Sequence, residues 1–197
     1  MILKREKRHF VTNEEQEFLE NALRALENKP KEGYRWLPVF EPSADGKGGL
    51  QFVRGEKPKV GFDCYKWQKL MTEYSPENES GKCSIHTYFL LQLRWLKEGI
   101  VTLEQLADDS KDIGHYRDSE NAKHDVELTG QREFGGLYGL IGNTWKMLGD
   151  PNSKFGFSVV GGDCYDDGKE HPAADVFRIR NSNFKDNNTV GLLELKK

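Results

Sequence analysis

The stretch that decides the fold is GGLYGLIGNTWKM, which occupies residues 135–147. Glycines punctuate it, and large apolar side chains stand between them. A second glycine pair lies downstream, within VVGGDCYDD at residues 159–167. Glycine permits positive φ angles and the close approach of neighbouring strands, and the aromatic residues beside the two pairs can fill a core. Ordinary turn chemistry would explain any one of these glycines alone.

The first stretch resembles the GLYDMxGNVWEW signature of the formylglycine-generating enzymes, which are also called sulfatase-modifying factors. The matching positions are Gly136, Leu137, Tyr138, Gly142, Asn143 and Trp145. Residues 159–167 resemble the VLRGGSW strand and turn of that family, and residues 177–180 and 189–193 resemble its closing strands. Residues 58–61 and 82–89 match the family's upstream blocks only in outline.

This resemblance implies an α+β, C-type lectin-like fold of the formylglycine-generating-enzyme type, irregular and with little sheet. It covers residues 58–197, in detail over 135–193. Residues 1–57 have no counterpart in the family and are interpreted as an N-terminal extension, a helix and a hairpin that could serve attachment or assembly.

The composition is that of one soluble domain, with 197 residues, 36% of them hydrophobic, and a formal net charge of -3. A sequence pI near 6.0 gives little support to nucleic-acid binding, which depends on neutralising phosphates. The first residues contain no apolar run long enough for a secretory signal or a membrane span. We therefore expect synthesis in the cytoplasm and no membrane insertion.

Capping patterns predict several helices. Thr12 and Glu15 form a capping box ahead of a helix over residues 13–28, whose apolar stripe could pack on the protein's own core or on another subunit. A second helix is predicted over 63–74. The third follows Ser84, ends at Gly99 and is apolar nearly all round, which favours a largely buried helix. A short helix follows Thr102, and the polar run 109–132 is predicted to be a surface excursion with few core residues.

Residues 34–37 and 50–53 have the composition of short strands. The second run follows the Asp45-Gly46 turn signal, so the two are predicted to form a small hairpin.

The three cysteines, Cys64, Cys83 and Cys164, are an odd number at wide spacing and are interpreted as buried thiols.

Formylglycine-generating enzymes hold copper with two cysteines in the loop after the GGSW turn. The resemblance places Asp166 and His171 at those two positions, and Cys164 at the position of the family's Trp. The related sulfoxide synthases bind iron through an HxxxHxE cluster, which this sequence lacks. We therefore expect a non-catalytic protein without a cofactor. The alternative is a divergent oxidoreductase that uses Cys164 as a metal ligand or nucleophile.

Two further groups of residues contain side chains that can bind metal ions. His115 and His124, with Asp118 and Glu120 between them, could supply ligands, but solvated polar residues are the favoured interpretation. Carboxylates at 163, 166 and 167 could bind calcium, but the spacing is not that of an EF-hand, and Lys146 stands where the family usually has an acid. A surface acidic turn is favoured.

With catalysis and metal binding disfavoured, the remaining candidate function is ligand binding by irregular loops on a stable core, a common use of this fold class. The ligand face of its members, which include phage receptor-binding proteins, corresponds to residues 163–188. Aromatic anchors and adaptable polar groups are typical of recognition surfaces, and here they are Asp163, Tyr165, Asp166, Asp167, His171, Arg178, Arg180, Asn181, Asn183, Phe184, Asn187 and Asn188. An ordinary polar loop is the alternative. The predicted partner is a protein or glycan ligand or a neighbouring subunit, in an oligomer or a virion.

Overall fold

A computed structural model describes residues 35–120, 122, 125–149, 157–175, 178–180 and 187–196. The predicted helix over 13–28 lies outside these residues. The described part is an α+β structure with three helices, one 3-10 turn at Pro76–Asn78 and eleven short strands. The helices are α1 (Cys64–Tyr74), α2 (Ile85–Lys97) and α3 (Leu103–Ala107). The strands are β1 (Arg35–Trp36), β2 (Ser43–Ala44), β3 (Leu50–Gln51), β4 (Gly81–Lys82), β5 (Glu133–Phe134), β6 (Leu137–Tyr138), β7 (Trp145–Leu148), β8 (Phe157–Val160), β9 (Arg178–Arg180), β10 (Thr189–Gly191) and β11 (Leu193–Lys196).

Helices α2 and α3 begin at the capping residues that the sequence predicted, and α1 begins one residue after the predicted start at Asp63. The Asp63 carboxylate accepts the backbone N–H of Lys66 at 2.8 Å ahead of α1, and the Ser84 hydroxyl accepts that of Thr87 at 3.0 Å ahead of α2. A full capping box at Thr102 starts α3. These side chains satisfy backbone donors that the first helical turn leaves free. Within the described residues, none of the helices is long and apolar enough to cross a membrane.

The central element is a four-stranded sheet in the order β10-β7-β8-β9, with β10 parallel to β7 and the other pairs antiparallel. Every residue of β7, β8 and β10 is buried. Because side chains alternate between the two faces of a strand, Trp145 and Met147 join one core cluster with Trp67 of α1, while Leu148 joins another with Tyr88 of α2. The sheet thus lies between two apolar layers.

The predicted pairing of residues 34–37 with 50–53 is wrong. The Asp45-Gly46 turn instead joins β2 to β3, and one Asp45 carboxylate oxygen accepts the backbone N–H groups of Lys47 and Gly49 at 2.8 Å each. Strand β1 pairs antiparallel with β11. A two-residue strand has too little hydrophobic pattern to specify a partner, so the nearby turn determines one pair and tertiary packing the other.

The prediction that α2 is largely buried holds for one side of the helix only. Tyr88 and Trp95 are fully buried, but Leu90 and Leu93 are 37% and 47% exposed. Apolar composition does not fix how many sides of a helix are covered, and one side of α2 faces solvent.

The polar run 109–132 is not a surface excursion poor in core residues. Ile113 and Tyr116 belong to the core cluster beneath α2, and Ser110, His115, Ser119 and Thr129 are buried as well. Their polar atoms are bonded inside the fold: Ser119 Oγ donates to the carbonyl of Gly114 at 2.8 Å. Small hydroxyl side chains can be buried in this way because backbone groups satisfy them, a possibility that hydrophobicity patterns do not reveal.

Candidate functional site

The first glycine stretch forms a tight turn packed against residue His115. Gly142 N–H donates to the carbonyl of Gly161 at 2.6 Å, and Asn143 N–H donates to that of His115 at 2.8 Å. Gly142 has φ +67°, and a Cβ there would lie 2.4 Å from the His115 carbonyl oxygen. Only glycine therefore fits. The predicted positive φ angles at both pairs, 135–136 and 161–162, are confirmed.

A buried ion pair lies directly below this turn. Lys146 Nζ is 3.3 Å from Glu41 Oε1, and both side chains are almost completely shielded from solvent. Lys146 also donates to the carbonyl of Gly142 at 2.8 Å and to that of Thr144. Glu41 accepts from Asn143 Nδ2 at 2.7 Å and from the Thr144 hydroxyl at 2.6 Å. All the polar groups of the pair thus have partners.

Burial opposes charge on both members of this pair. Loss of solvation raises the pKa of Glu41 and lowers the pKa of Lys146, while their mutual attraction acts in the opposite direction on each. The sequence identified Lys146 as a departure from the family pattern but not Glu41 as its partner. A lysine in a strand buried on both faces signals that an acid must lie nearby, although it does not indicate which acid.

The histidine considered as a metal ligand lies next to the same network. His115 is 1% exposed, with Nε2 3.0 Å from the carbonyl of Asp125 and Nδ1 3.5 Å from Glu127 Oε1. Solvated polar residues were therefore the wrong interpretation for His115. Asp118 accepts the Gly168 N–H at 3.0 Å, and His124 lies outside the described residues. Where the chain is described, no three His, Cys, Asp or Glu residues are grouped so as to hold a metal ion.

The loop from Gly161 to Asp175 is fixed to the polar run beneath it. Tyr116 places its hydroxyl 2.8 Å from the carbonyl of Gly161 and 3.0 Å from that of His171. The backbone N–H of Arg117 donates to the carbonyl of Asp166 at 2.9 Å. Ser110 holds the loop twice, through its N–H to the Gly168 carbonyl at 3.1 Å and through its hydroxyl, which accepts the Ala173 N–H at 2.8 Å.

Within this loop, the predicted acidic surface turn is only partly at the surface. Asp163 is buried, and its carboxylate accepts the backbone N–H of Tyr165 at 2.8 Å. Asp166 Oδ2 accepts the Asp163 N–H at 2.9 Å, and Asp167 Oδ1 accepts that of Lys169. The surface-turn interpretation is therefore wrong for Asp163, because its carboxylate shapes the loop from inside. Tyr165 is 48% exposed.

Several predicted site residues are brought together around Trp145. The His171 ring lies 5.3 Å from the Trp145 ring. The backbone N–H of Trp145 donates to the carbonyl of Asn188 at 2.9 Å. His171 Nε2 is also 3.6 Å from Asp166 Oδ1. Residues 166, 171 and 188 therefore share one region, and Asn187 is an exposed neighbour in sequence.

The remaining predicted residues are placed only in part. Arg178 and Arg180 lie in β9, in register with Val159 and Phe157 of β8. Asn181, Asn183 and Phe184 lie outside the described residues.

All three cysteines are free and buried, as predicted. Burial raises the pKa of each thiol, to about 12 for Cys164. A nucleophilic cysteine reacts as its thiolate, and burial of Cys164 favours the neutral thiol. Asp166 and His171 form a carboxylate–imidazole contact, with Oδ1 and Nε2 3.6 Å apart.

A scan against protein-family models finds no match for this chain, and a search of curated proteins finds no relative.

Proposed function

We propose that this chain is a non-catalytic binding or assembly protein with a C-type lectin-like fold of the formylglycine-generating-enzyme type. Its ligand face is the surface built from residues 163–188, and its ligand is a protein, a glycan or a neighbouring subunit. The observation that carries this proposal is an exposed aromatic side chain, Tyr165, on an irregular loop that hydrogen bonds attach to the core at several points.

Rigid anchoring favours recognition because binding then costs little conformational entropy. The loop meets this condition through Tyr116, Arg117 and Ser110, which bond its backbone at several points. Tyrosine is a frequent anchor in binding sites since it offers a large rigid surface with only two rotatable bonds. The polar groups of Asp166, His171 and Asn187 near this loop provide further adaptable contacts.

The thiol chemistry of the region favours binding over catalysis. The Cys164 pKa of about 12 keeps this side chain a neutral thiol at physiological pH. The enzymes that the sequence resembles need two thiolates in this loop, and the corresponding residues here are Asp166 and His171. The proposal extends to a role inside a larger assembly such as a phage particle, where the partner of the loop would be an adjacent subunit.

Matched tyrosine variants test the proposal. The purified chain is applied to a printed glycan array and to a phage-displayed peptide library, and the best ligand from each is titrated by calorimetry. Tyr165→Ala should weaken binding at least about tenfold, as expected for an aromatic anchor. Tyr65→Ala is the control because Tyr65 on α1 is equally exposed, at 48%. Equal effects of the two variants, or no effect of Tyr165→Ala, would place the ligand face elsewhere.

A further inference from the structure

Below the glycine turn, the buried carboxylate of Glu41 lies between the side chains of Lys146 and Asn143. Glu41 contacts both of them with its two carboxylate oxygens: Oε1 lies 3.3 Å from Lys146 Nζ, and Oε2 accepts Asn143 Nδ2 at 2.7 Å. One carboxylate therefore touches both an amine and the nitrogen of a primary amide.

The carbonyl end of the same amide also has a partner. Asn143 Oδ1 accepts the backbone N–H of Glu127 at 2.7 Å. A donor at this position polarises the carbonyl and stabilises negative charge that develops on its oxygen during attack by a nucleophile. These two contacts also fix the orientation of the amide, since a carboxylate requires the NH₂ group and an N–H requires the oxygen.

We propose that Lys146 and Asn143 form an intramolecular isopeptide bond, with Glu41 as the group that moves the protons. Lys146 passes one proton to Glu41 and attacks Cγ of Asn143 as a neutral amine. The new Nζ–Cγ bond forms, and the Cγ–Nδ2 bond breaks. The leaving nitrogen takes a proton from Glu41, and the attacking nitrogen returns one to it. The net change is the loss of one molecule of ammonia, and Glu41 keeps the proton that Lys146 gave up. No oxidant, reductant or cofactor is required.

The environment favours the neutral forms that this reaction needs. Water is excluded from both side chains of the ion pair, and desolvation favours an uncharged amine and an uncharged carboxyl. Glu41 and Lys146 also line a small pocket bordered by Phe40, Leu137 and Tyr138, which is the nearest space for the released ammonia. The bond would close a short loop within the signature turn and hold the start of β7 in place.

Intact mass spectrometry of the purified full-length chain tests the proposal directly. The bond lowers the mass by about 17 Da relative to the sequence, and it makes the peptide bond after Lys146 resistant to trypsin because the side chain is no longer an amine. The cross-linked peptide containing residues 143 and 146 should carry the whole mass loss in tandem spectra. A chain with the unmodified sequence mass, cleaved by trypsin after Lys146, overturns the proposal.

Variants separate this bond from other losses of ammonia. Lys146→Met should restore the unmodified mass, and Glu41→Gln should do so as well because an amide cannot relay the proton. Lys82→Met is the matched control, since Lys82 is also buried and its loss should leave the 17 Da change intact. Cyclisation of Asn143 onto its own backbone would lose ammonia too, but it would persist in Lys146→Met, and that outcome also overturns the proposal. The wild-type measurement stands even if a variant fails to fold.

Discussion

Lys146 of the central sheet and Glu41 of the segment before β2 form a buried ion pair, with Nζ and Oε1 3.3 Å apart. Residue 41 lies in the stretch interpreted from sequence as an extension without a family counterpart. Its carboxylate nevertheless contacts the amide and hydroxyl groups of Asn143 and Thr144 in the signature turn. The turn and the segment that carries Glu41 are therefore coupled energetically.

Removing one member of the pair should be costly. In the chain without the Lys146–Asn143 cross-link, Glu41→Ala leaves the ammonium of Lys146 buried without its counter-charge, and we expect the free energy of unfolding to fall by about 3–5 kcal/mol. Urea unfolding monitored by tryptophan fluorescence measures the change. Glu56→Ala is the control, because Glu56 is exposed in the same region of the chain, and its effect should stay within about 0.5 kcal/mol. A loss below about 1 kcal/mol for Glu41→Ala would show that the pair does little for stability.

The sequence predicted the features of the fold that depend on local contacts. The helix starts at Asp63, Ser84 and Thr102 rest on hydrogen bonds that span three residues, and the Asp45 turn is equally local. Partners distant in sequence could not be predicted, as the pairing of β1 with β11 illustrates. Such short strands have no pattern that selects a partner, so tertiary packing makes the choice.

The sequence predicted which stretch forms the candidate site. It did not predict which side chains of that stretch are buried or which residues support it. Asp163 and Tyr165 are two residues apart and both polar enough for a surface, yet one is buried and the other exposed. Burial of the Asp163 carboxylate is tolerated because it accepts the backbone N–H of Tyr165. The supporting residues, Tyr116 above all, lie in a run whose composition indicated a surface excursion. Burial of that run depends on hydrogen bonds to distant backbone groups, which composition does not encode.

The Tyr116 hydroxyl should control the rigidity of the loop. Tyr116→Phe removes the group that lies between the carbonyls of Gly161 and His171, and leaving buried acceptors unsatisfied costs about 1–3 kcal/mol. Hydrogen exchange followed by mass spectrometry should show faster exchange in peptides covering 161–175. Tyr65→Phe, on the exposed side of α1, should leave exchange in this loop unchanged. If exchange in the loop is the same in both variants, the hydroxyl does not position it.

The buried thiol of Cys164 predicts a loss of stability in alkali. Its pKa rises from 9.0 to about 12 in the folded state, so the unfolded chain releases this proton first as the pH increases. The stabilising contribution is complete below about pH 9 and is lost progressively between about pH 9 and 12, at up to about 1.4 kcal/mol per pH unit. We expect the difference in unfolding free energy between wild type and Cys164→Ala to shrink from pH 8 to pH 10.5 in urea titrations. A difference that stays constant over this range would contradict the raised pKa.

Two glycines of the stretch 135–147, Gly136 and Gly142, should differ sharply in their tolerance of a side chain. Both have positive φ, +85° at Gly136 and +67° at Gly142, so alanine is strained at either by about 1–2 kcal/mol. At Gly136 no atom lies within 4 Å of the added Cβ, whereas at Gly142 it would meet the backbone nitrogen and carbonyl oxygen of His115 at 2.5 and 2.4 Å. Backbone atoms of a buried segment cannot move aside as a flexible side chain can. Gly136→Ala should therefore cost only the strain, while Gly142→Ala should cost more than about 4 kcal/mol or prevent folding. Thermal unfolding of both variants under identical conditions measures the contrast, and similar losses would show that the turn does not pack against His115 as described.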